Sequence, residues 1–408
     1  MSFESGLSGL NAASKNLDAI GNNVANANTV GFKSGMVQFA DVYANSLNNS
    51  GGSKLGIGTR VAGVAQQFTQ GNISTTSDPL DIAINGNGFF RMSNNGTVTY
   101  ARNGEFNLDK DGYIVNVSGA RLTGYAANAS GSIASGSPVE LHIDTTALPP
   151  QITSKLDAQL NLNSGLSAPT TTPFDPTDPD SYNNATSATV YDSLGNSHVL
   201  QTFYVRTAGG WNVYATSDDV PLLNTASPAT SVIASLTFGT NGLLTSPGTG
   251  TAAIVGTNGA ANFTVAIDYT STTQYGSAFS VNSLEPDGYA SGRLSGFTTG
   301  ADGIVLGHYT NGKSAVLGQV VLANFANPNG LQPLGNNLWA ETADSGTPLV
   351  GAPGSSNLGA LQSSATEDSN VDLTAELVNM ITAQRTYQAN AQTIKTEDQI
   401  MQTLVNLR

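Results

Sequence analysis

Apolar residues recur every seven positions at the two extremes of this chain, and that repeat limits the possible folds more than any other feature. At the amino end Phe3, Leu10, Leu17 and Val24 share one heptad position, with Gly6, Ala13, Ile20 and Ala27 three residues later. At the carboxyl end Leu373, Met380, Tyr387, Ile394 and Met401 keep the same spacing. Leu377, Ile381, Ala391, Leu404 and Val405 widen that stripe, and Gln384 and Asp398 interrupt it. Stripes this narrow are of the coiled-coil kind, so the spacing predicts paired helices over 1–30 and 371–408. Ser369 or Asn370 is placed to cap the second helix, with Asp372 in its first turn. Chain ends ordinarily fray, and the opposite face of the first helix (Asn11, Asn16, Asn22, Asn23) is built from poor helix formers. The ends are therefore expected to be largely disordered in a lone subunit and to fold when copies of the same chain add contacts.

Composition supports self-association. Charged residues are only 11% of the chain, against about 25% in ordinary soluble domains, which suits a surface covered by other copies. The net charge of −14 and the pI near 4.4 argue against nucleic acid, because little cationic surface exists to displace counterions from phosphates. No apolar run approaches the ~20 residues that span a bilayer, so no membrane insertion is expected. The amino terminus shows neither a basic n-region nor an uninterrupted apolar h-region, so no Sec signal is expected. Without cysteine, disulfides and thiolate chemistry are excluded.

Between the ends the sequence reads as β structure. The whole chain has 45 glycines, most of them here, and strand–turn–strand units are frequent. LDIAI runs into Asn85-Gly86-Asn87-Gly88 and then FFRM. FNL and YIVNV flank Asp109 to Gly112, HVLQTFYVR and WNVYAT flank Gly209-Gly210, and IVLGHYT and KSAVLGQVV flank Asn311-Gly312. Pro149-Pro150 and the loop from Pro169 to Tyr182 open a Thr/Ser/Ala-rich stretch that reads as an insertion. The expected fold class is α+β, with coiled-coil-like terminal helices and nested, discontinuous antiparallel all-β domains. The boundaries are an inner β domain at 72–146 and 285–358, an inserted outer β domain at 147–284, and linkers at 31–71 and 359–370.

The search for chemistry finds no enzyme signature. Asp109-Lys110-Asp111-Gly112 begins like a calcium loop but lacks the downstream glutamate, so a hairpin turn is the better reading. Asp175, Asp178 and Asp180 lie among prolines as a solvated loop. His142, His198 and His308 lack metal-ligand spacing. Neither GxSxG, nor a P-loop, nor GxGxxG is present. No catalytic residue, metal or cofactor is expected.

One string is far more specific. Residues 22–33 read NNVANANTVGFK, in which Gly31 permits a helix-stopping backbone and Phe32 can anchor the outgoing chain. The string Asn22, Asn23, Ala25, Asn26, Thr29, Gly31 and Phe32 resembles the amino-terminal signature of flagellar rod and hook axial proteins. LDIAINGNGFFRM (80–92), YARNGEFNLDKDGYIVNVSGARLTGY (100–125) and the segment 371–407 are similar to that family's other shared motifs. Length and insert resemble hook-forming members more than the shorter rod proteins. The resemblance implies a homopolymer outside the cell: a curved hollow tube transmitting torque from rod to filament. Phe3, Leu10, Leu17, Ile20 and Val24 would face Leu377, Met380, Tyr387, Ile394 and Leu404 of the same or adjacent subunits, with Leu373 also on the polymerising helix. It also implies export by the flagellum's type III apparatus and contact with the rod, the hook-filament junction and a hook cap. The alternatives are a distal rod protein and, in a different class, a secreted β-rich enzyme or adhesin, which gives no reason for heptads at both ends.

Overall fold

A computed structural model of the chain describes residues 2–43, 56–128, 131–134, 136–222 and 232–406. Its fold is α+β, with one long helix at each end and mostly antiparallel strands between. Helix α1 spans Ser2–Ala25 and helix α2 spans Leu373–Asn406. The chain divides into two units. One holds Met1–Asp144, Gly296–His308 and Ser314–Arg408, and the other Thr145–Ser295 and Tyr309–Lys313. The second unit thus starts at Thr145 and reaches Ser295, with Tyr309–Lys313 added, where the expected insertion was 147–284.

Helix ends follow local chemistry. α1 stops at Ala25, short of the expected residue 30, because Asn26, Thr29 and Phe32 turn back on the preceding carbonyls of Asn22, Asn26 and Thr29. α2 is capped by Asp372, whose Oδ1 accepts from Thr374 N at 2.9 Å and Ala375 N at 3.1 Å. Asn370 is engaged elsewhere: its Oδ1 accepts from Ser34 N at 2.8 Å and its Nδ2 donates to Gln67 O at 2.6 Å. The cap therefore sits two or three residues later than the sequence suggested.

Both expected linkers carry strands. In 31–71, strand β1 (Gly35–Tyr43) pairs antiparallel with strand β2 (Gly56–Gln66), Gly35 opposite Gln66. In 359–370, Ala360–Ser363 pairs with Ile82–Asn85, and Ala365–Glu367 pairs with Ile73–Thr75. The two ribbons of 359–370 join segments from opposite sides of the insertion, and local periodicity carries no trace of such partners.

The first unit interleaves chain from both sides of the insertion. Phe89–Asn94 pairs with both Thr97–Ala101 and Leu322–Asn324, while Arg121–Ala126 pairs with Ser314–Val320. Its core includes Phe89, Tyr100, Phe325 and Trp339, packed edge to face, with Phe89 and Trp339 centroids 5.7 Å apart. Phe106–Leu108 with Ile114–Asn116, and Ile304–Tyr309 with Ser314–Val320, form the expected hairpins. Ile82–Asn85 and Phe89–Asn94 do not pair with each other. Gly86 (φ +114°) and Gly88 (φ +125°) turn the chain so that each strand joins a different partner.

The second unit has two five-stranded sheets around Leu160, Val190, Tyr204, Trp211, Val265 and Tyr269, all buried. Ser197–Thr207 and Gly210–Ser217 form the expected hairpin, with Thr207 opposite Gly210. The other sheet departs from the all-antiparallel expectation: Lys155–Asn163 pairs parallel with both Phe263–Asp268 and Thr273–Tyr275. Leu156, Leu160 and Leu162 are buried and the strand is central to its sheet, so strands arriving later flank it. The chain enters and leaves the unit side by side, Leu148 N donating to Gly292 O at 2.7 Å.

Candidate assembly site

The terminal helices run antiparallel against each other: Gly6 lies opposite Ile394, Gly9 opposite Asn390 and Asn23 opposite Glu376. Glycine permits this approach, since a β-carbon at Gly9 would sit 2.8 Å from the Asn390 amide. On α1, Ile20 is buried, Leu10, Leu17 and Val24 are half-buried, and Phe3 is 51% exposed. On α2, Met380 and Ile394 are half-buried, whereas Leu373, Leu377, Tyr387 and Leu404 are exposed. Ala383 is the one buried residue of α2 among those described. Where α2 meets α1, Glu376 and Asn390 are polar and Ala383 is small, with Ile394 at Gly6 the apolar exception. Within one chain the apolar stripe of α2 therefore stays largely in solvent, and Val378, Ile381, Ile400, Met401 and Val405 extend it. A groove of about 710 Å³ between the helix pair and the first hairpin is lined by Ala12, Ala13, Ile20, Met36, Phe39 and Ala383, among others.

The signature string forms the junction between helix and β structure. Asn23, 3% exposed, donates through Nδ2 to Gly35 O at 2.9 Å and to Glu376 Oε1 at 3.0 Å, while its Oδ1 accepts from Gly35 N. Asn26 Nδ2 donates to Asn22 O at 2.9 Å, Thr29 Oγ1 donates to Asn26 Oδ1, and Ala25 is exposed. Gly31 has φ +69° and donates to Glu367 O at 2.7 Å. A β-carbon there would lie 2.5 Å from Asn103 N. Phe32, half-buried, follows it.

The next residue begins a feature that sequence reasoning missed. Lys33 Nζ and Arg102 Nε meet the two oxygens of Glu367 at 2.7 and 2.6 Å, and all three side chains are at most 5% exposed. Gly71 N donates to Glu367 Oε1, Lys33 Nζ also to Thr69 O, and the Arg102 guanidinium to the carbonyls of Ile84, Gly86 and Gly88. Burial holds the Lys33 pKa below its ordinary value despite the opposing pull of Glu367, and Arg102 lowers it further. The cluster ties the amino-terminal junction, the β unit and the segment before α2 into one knot. A signal did exist: cations are scarce here, and Lys33 directly follows an apolar anchor.

The carboxylates and histidines flagged as metal candidates are taken up locally. Asp109 Oδ1 accepts from Asp111 N and Tyr113 N, closing a hairpin turn. Asp175 accepts from Thr177, and Asp178 caps the short helix Pro179–Ser181. His142 Nε2 bonds Asp111 O, and His308 Nδ1 bonds Ser314 Oγ. His198, 2% exposed, lies between Asp218 Oδ2 at 2.7 Å and Asp192 Oδ2 at 3.3 Å.

Four stretches of the chain match families described from other proteins. Residues 3–33 match the flagella basal body rod protein family, and 362–407 the carboxyl-terminal region of the flagellar basal body rod FlgEFG proteins. Residues 83–155 match the D1 domain of the flagellar hook proteins FlgE/F/G, and 160–289 the flagellar basal body protein FlaE D2 domain. Helix pair, split β unit and insert are thus those of the rod and hook class of flagellar proteins. The chain is 46% identical to the flagellar hook protein FlgE of Salmonella typhimurium and 45% to that of Escherichia coli, each over 100% of both chains. Against FlgE of Rhizobium meliloti it is 34% identical over 100% of this chain and 98% of that one. The chain belongs to the flagellar hook protein family.

Proposed function

We propose that this chain is the repeating structural subunit of the bacterial flagellar hook, outside the cell, polymerising through α1 and α2 into a curved hollow tube. The tube works as a universal joint, bending while it passes torque from rod to filament. The observation that carries the reading is the apolar stripe of α2, exposed at Leu373, Leu377, Val378 and Ile381 and again at Ile400, Met401, Leu404 and Val405. Apolar surface on this scale at a chain end calls for a partner, and copies of the same helix pair supply one of matching repeat. The role is structural rather than catalytic. The rod, the hook-filament junction, the hook cap and the flagellar export apparatus are the further partners of this reading, on family membership alone.

Removing 371–408 tests it. The truncated chain should keep the β structure of its second unit by circular dichroism and fail to polymerise, and tubes formed without α2 would overturn the reading. Electron microscopy of the full-length polymer separates hook from distal rod, short curved tubes supporting the hook and straight ones the rod.

A further inference from the structure

Eight asparagines in this chain precede a glycine. That step is prone to a reaction needing only water. The glycine nitrogen, its proton lost to base, attacks the asparagine Cγ. A C–N bond forms, the side-chain amide nitrogen leaves as ammonia, and water opens the resulting succinimide to aspartate or isoaspartate. Glycine favours the attack because no β-carbon shields its nitrogen.

The fold holds six of the eight steps shut. Gly86 N donates to Gln70 Oε1 at 3.0 Å. Gly242, Gly312 and Gly330 donate to the carbonyls of Gly239, Tyr309 and Asn327. Asn103 Oδ1 is held by Glu105 N at 2.8 Å. Gly88 is buried, and its peptide is pinned by Gly359 N on Asn87 O and by Arg102 on its own carbonyl. A nitrogen engaged in such a bond is held away from Cγ, and its proton is harder to remove.

Two steps have no such latch. Asn95 (φ +50°) and Gly96 (φ +86°) form the tip of the hairpin closed by Asn94 opposite Thr97. Asn258 (φ +55°) and Gly259 (φ +87°) form a turn closed by Ala260 N on Thr257 O at 3.0 Å. All four residues are exposed, and a β-carbon on either glycine would meet open space. Among the described residues, neither asparagine side chain and neither glycine N–H takes part in a hydrogen bond. We propose that Asn95 and Asn258 are sites of spontaneous deamidation, which places one new carboxylate on each unit as the protein ages. The inference stands apart from the assembly reading, since it needs only the folded chain.

Peptide mass mapping of the purified full-length chain, aged at mildly alkaline pH, reads each site by its amide-to-acid mass gain. Asn95 and Asn258 should convert at least about tenfold faster than the other six, equivalent to a barrier difference of about 1.4 kcal/mol. Equal rates in the folded chain would overturn the proposal. In concentrated urea all eight should convert at similar rates; continued preference for these two would show that the fold is not the selector. Gln70→Ala, which frees Gly86 N, should bring Asn85 into the fast group, and an unchanged Asn85 would refute the latch.

Discussion

A single carboxylate, Glu367, faces two buried cations. Removing one partner of a buried ion pair leaves uncompensated charge and costs about 3–5 kcal/mol. Glu367→Gln, with both cations left in place, should therefore lower unfolding stability by roughly that amount in denaturant titration. His198 gives a prediction of a different kind. Burial works against its charged ring, but the hydrogen bonds of Asp218 and Asp192 outweigh it and raise the pKa above the usual 6.5. The charged trio thus adds full stability below pH 6.5 and loses it as pH rises through the raised value. On the acid side burial opposes ionisation of Asp192, yet bonds from Asn196, Leu194 and His198 lower its pKa to about 2. That contribution is present above the ordinary 3.8 and fades toward about 2. Stability from the trio should peak between these limits, and His198→Gln should flatten the alkaline side of a pH series of melting temperatures. At this scale the sequence was half legible. Part of the string from Asn22 to Phe32 is readable because it acts on near neighbours, through Asn26 on Asn22 and Thr29 on Asn26, whereas Asn23 and Gly31 reach Glu376 and Glu367. The Lys33–Glu367 pair spans 334 positions, and a lone lysine does not name its carboxylate.

Among the elements, the two helices were the most legible, since seven-residue spacing is local and survives any tertiary arrangement. Their partnering was not. The heptad stripe of α2 faces α1 only in part: Gly6 meets Ile394 of the stripe, but Gly9 meets Asn390 and Asn23 meets Glu376. Exposed residues carry little of a subunit's own stability, so changing them separates assembly from folding. Leu377→Ser with Ile381→Ser should shift subunit stability by no more than about 0.5 kcal/mol per site. The same pair should sharply reduce polymerisation measured by light scattering. β1 and β2 went unread for the opposite reason: Met36, Phe39 and Val64 are exposed, so no buried alternation marks them as strands.

For the whole molecule, the nested order of β segments was readable from composition, while the interleaving of strands across the insertion was not, since long-range pairing leaves no local trace. Chain entry and exit lie side by side at Leu148 and Gly292, which makes the insert removable. Replacing 149–291 by a short linker should leave polymerisation intact and change the curvature or stiffness of the tubes in electron micrographs; complete loss of assembly would contradict its assignment as an outer domain.

The position of Glu367 in the chain has a temporal consequence. A polypeptide emerging amino end first presents Lys33 and Arg102 long before their counter-charge arrives, and until then water is their better host. The knot can tighten only when nearly the entire molecule is out, so the sticky tails gain a fixed bearing last, after the second unit can set. Glu367→Gln chains should stay in that unfinished condition, with protease cutting between 31 and 71 while the second unit resists.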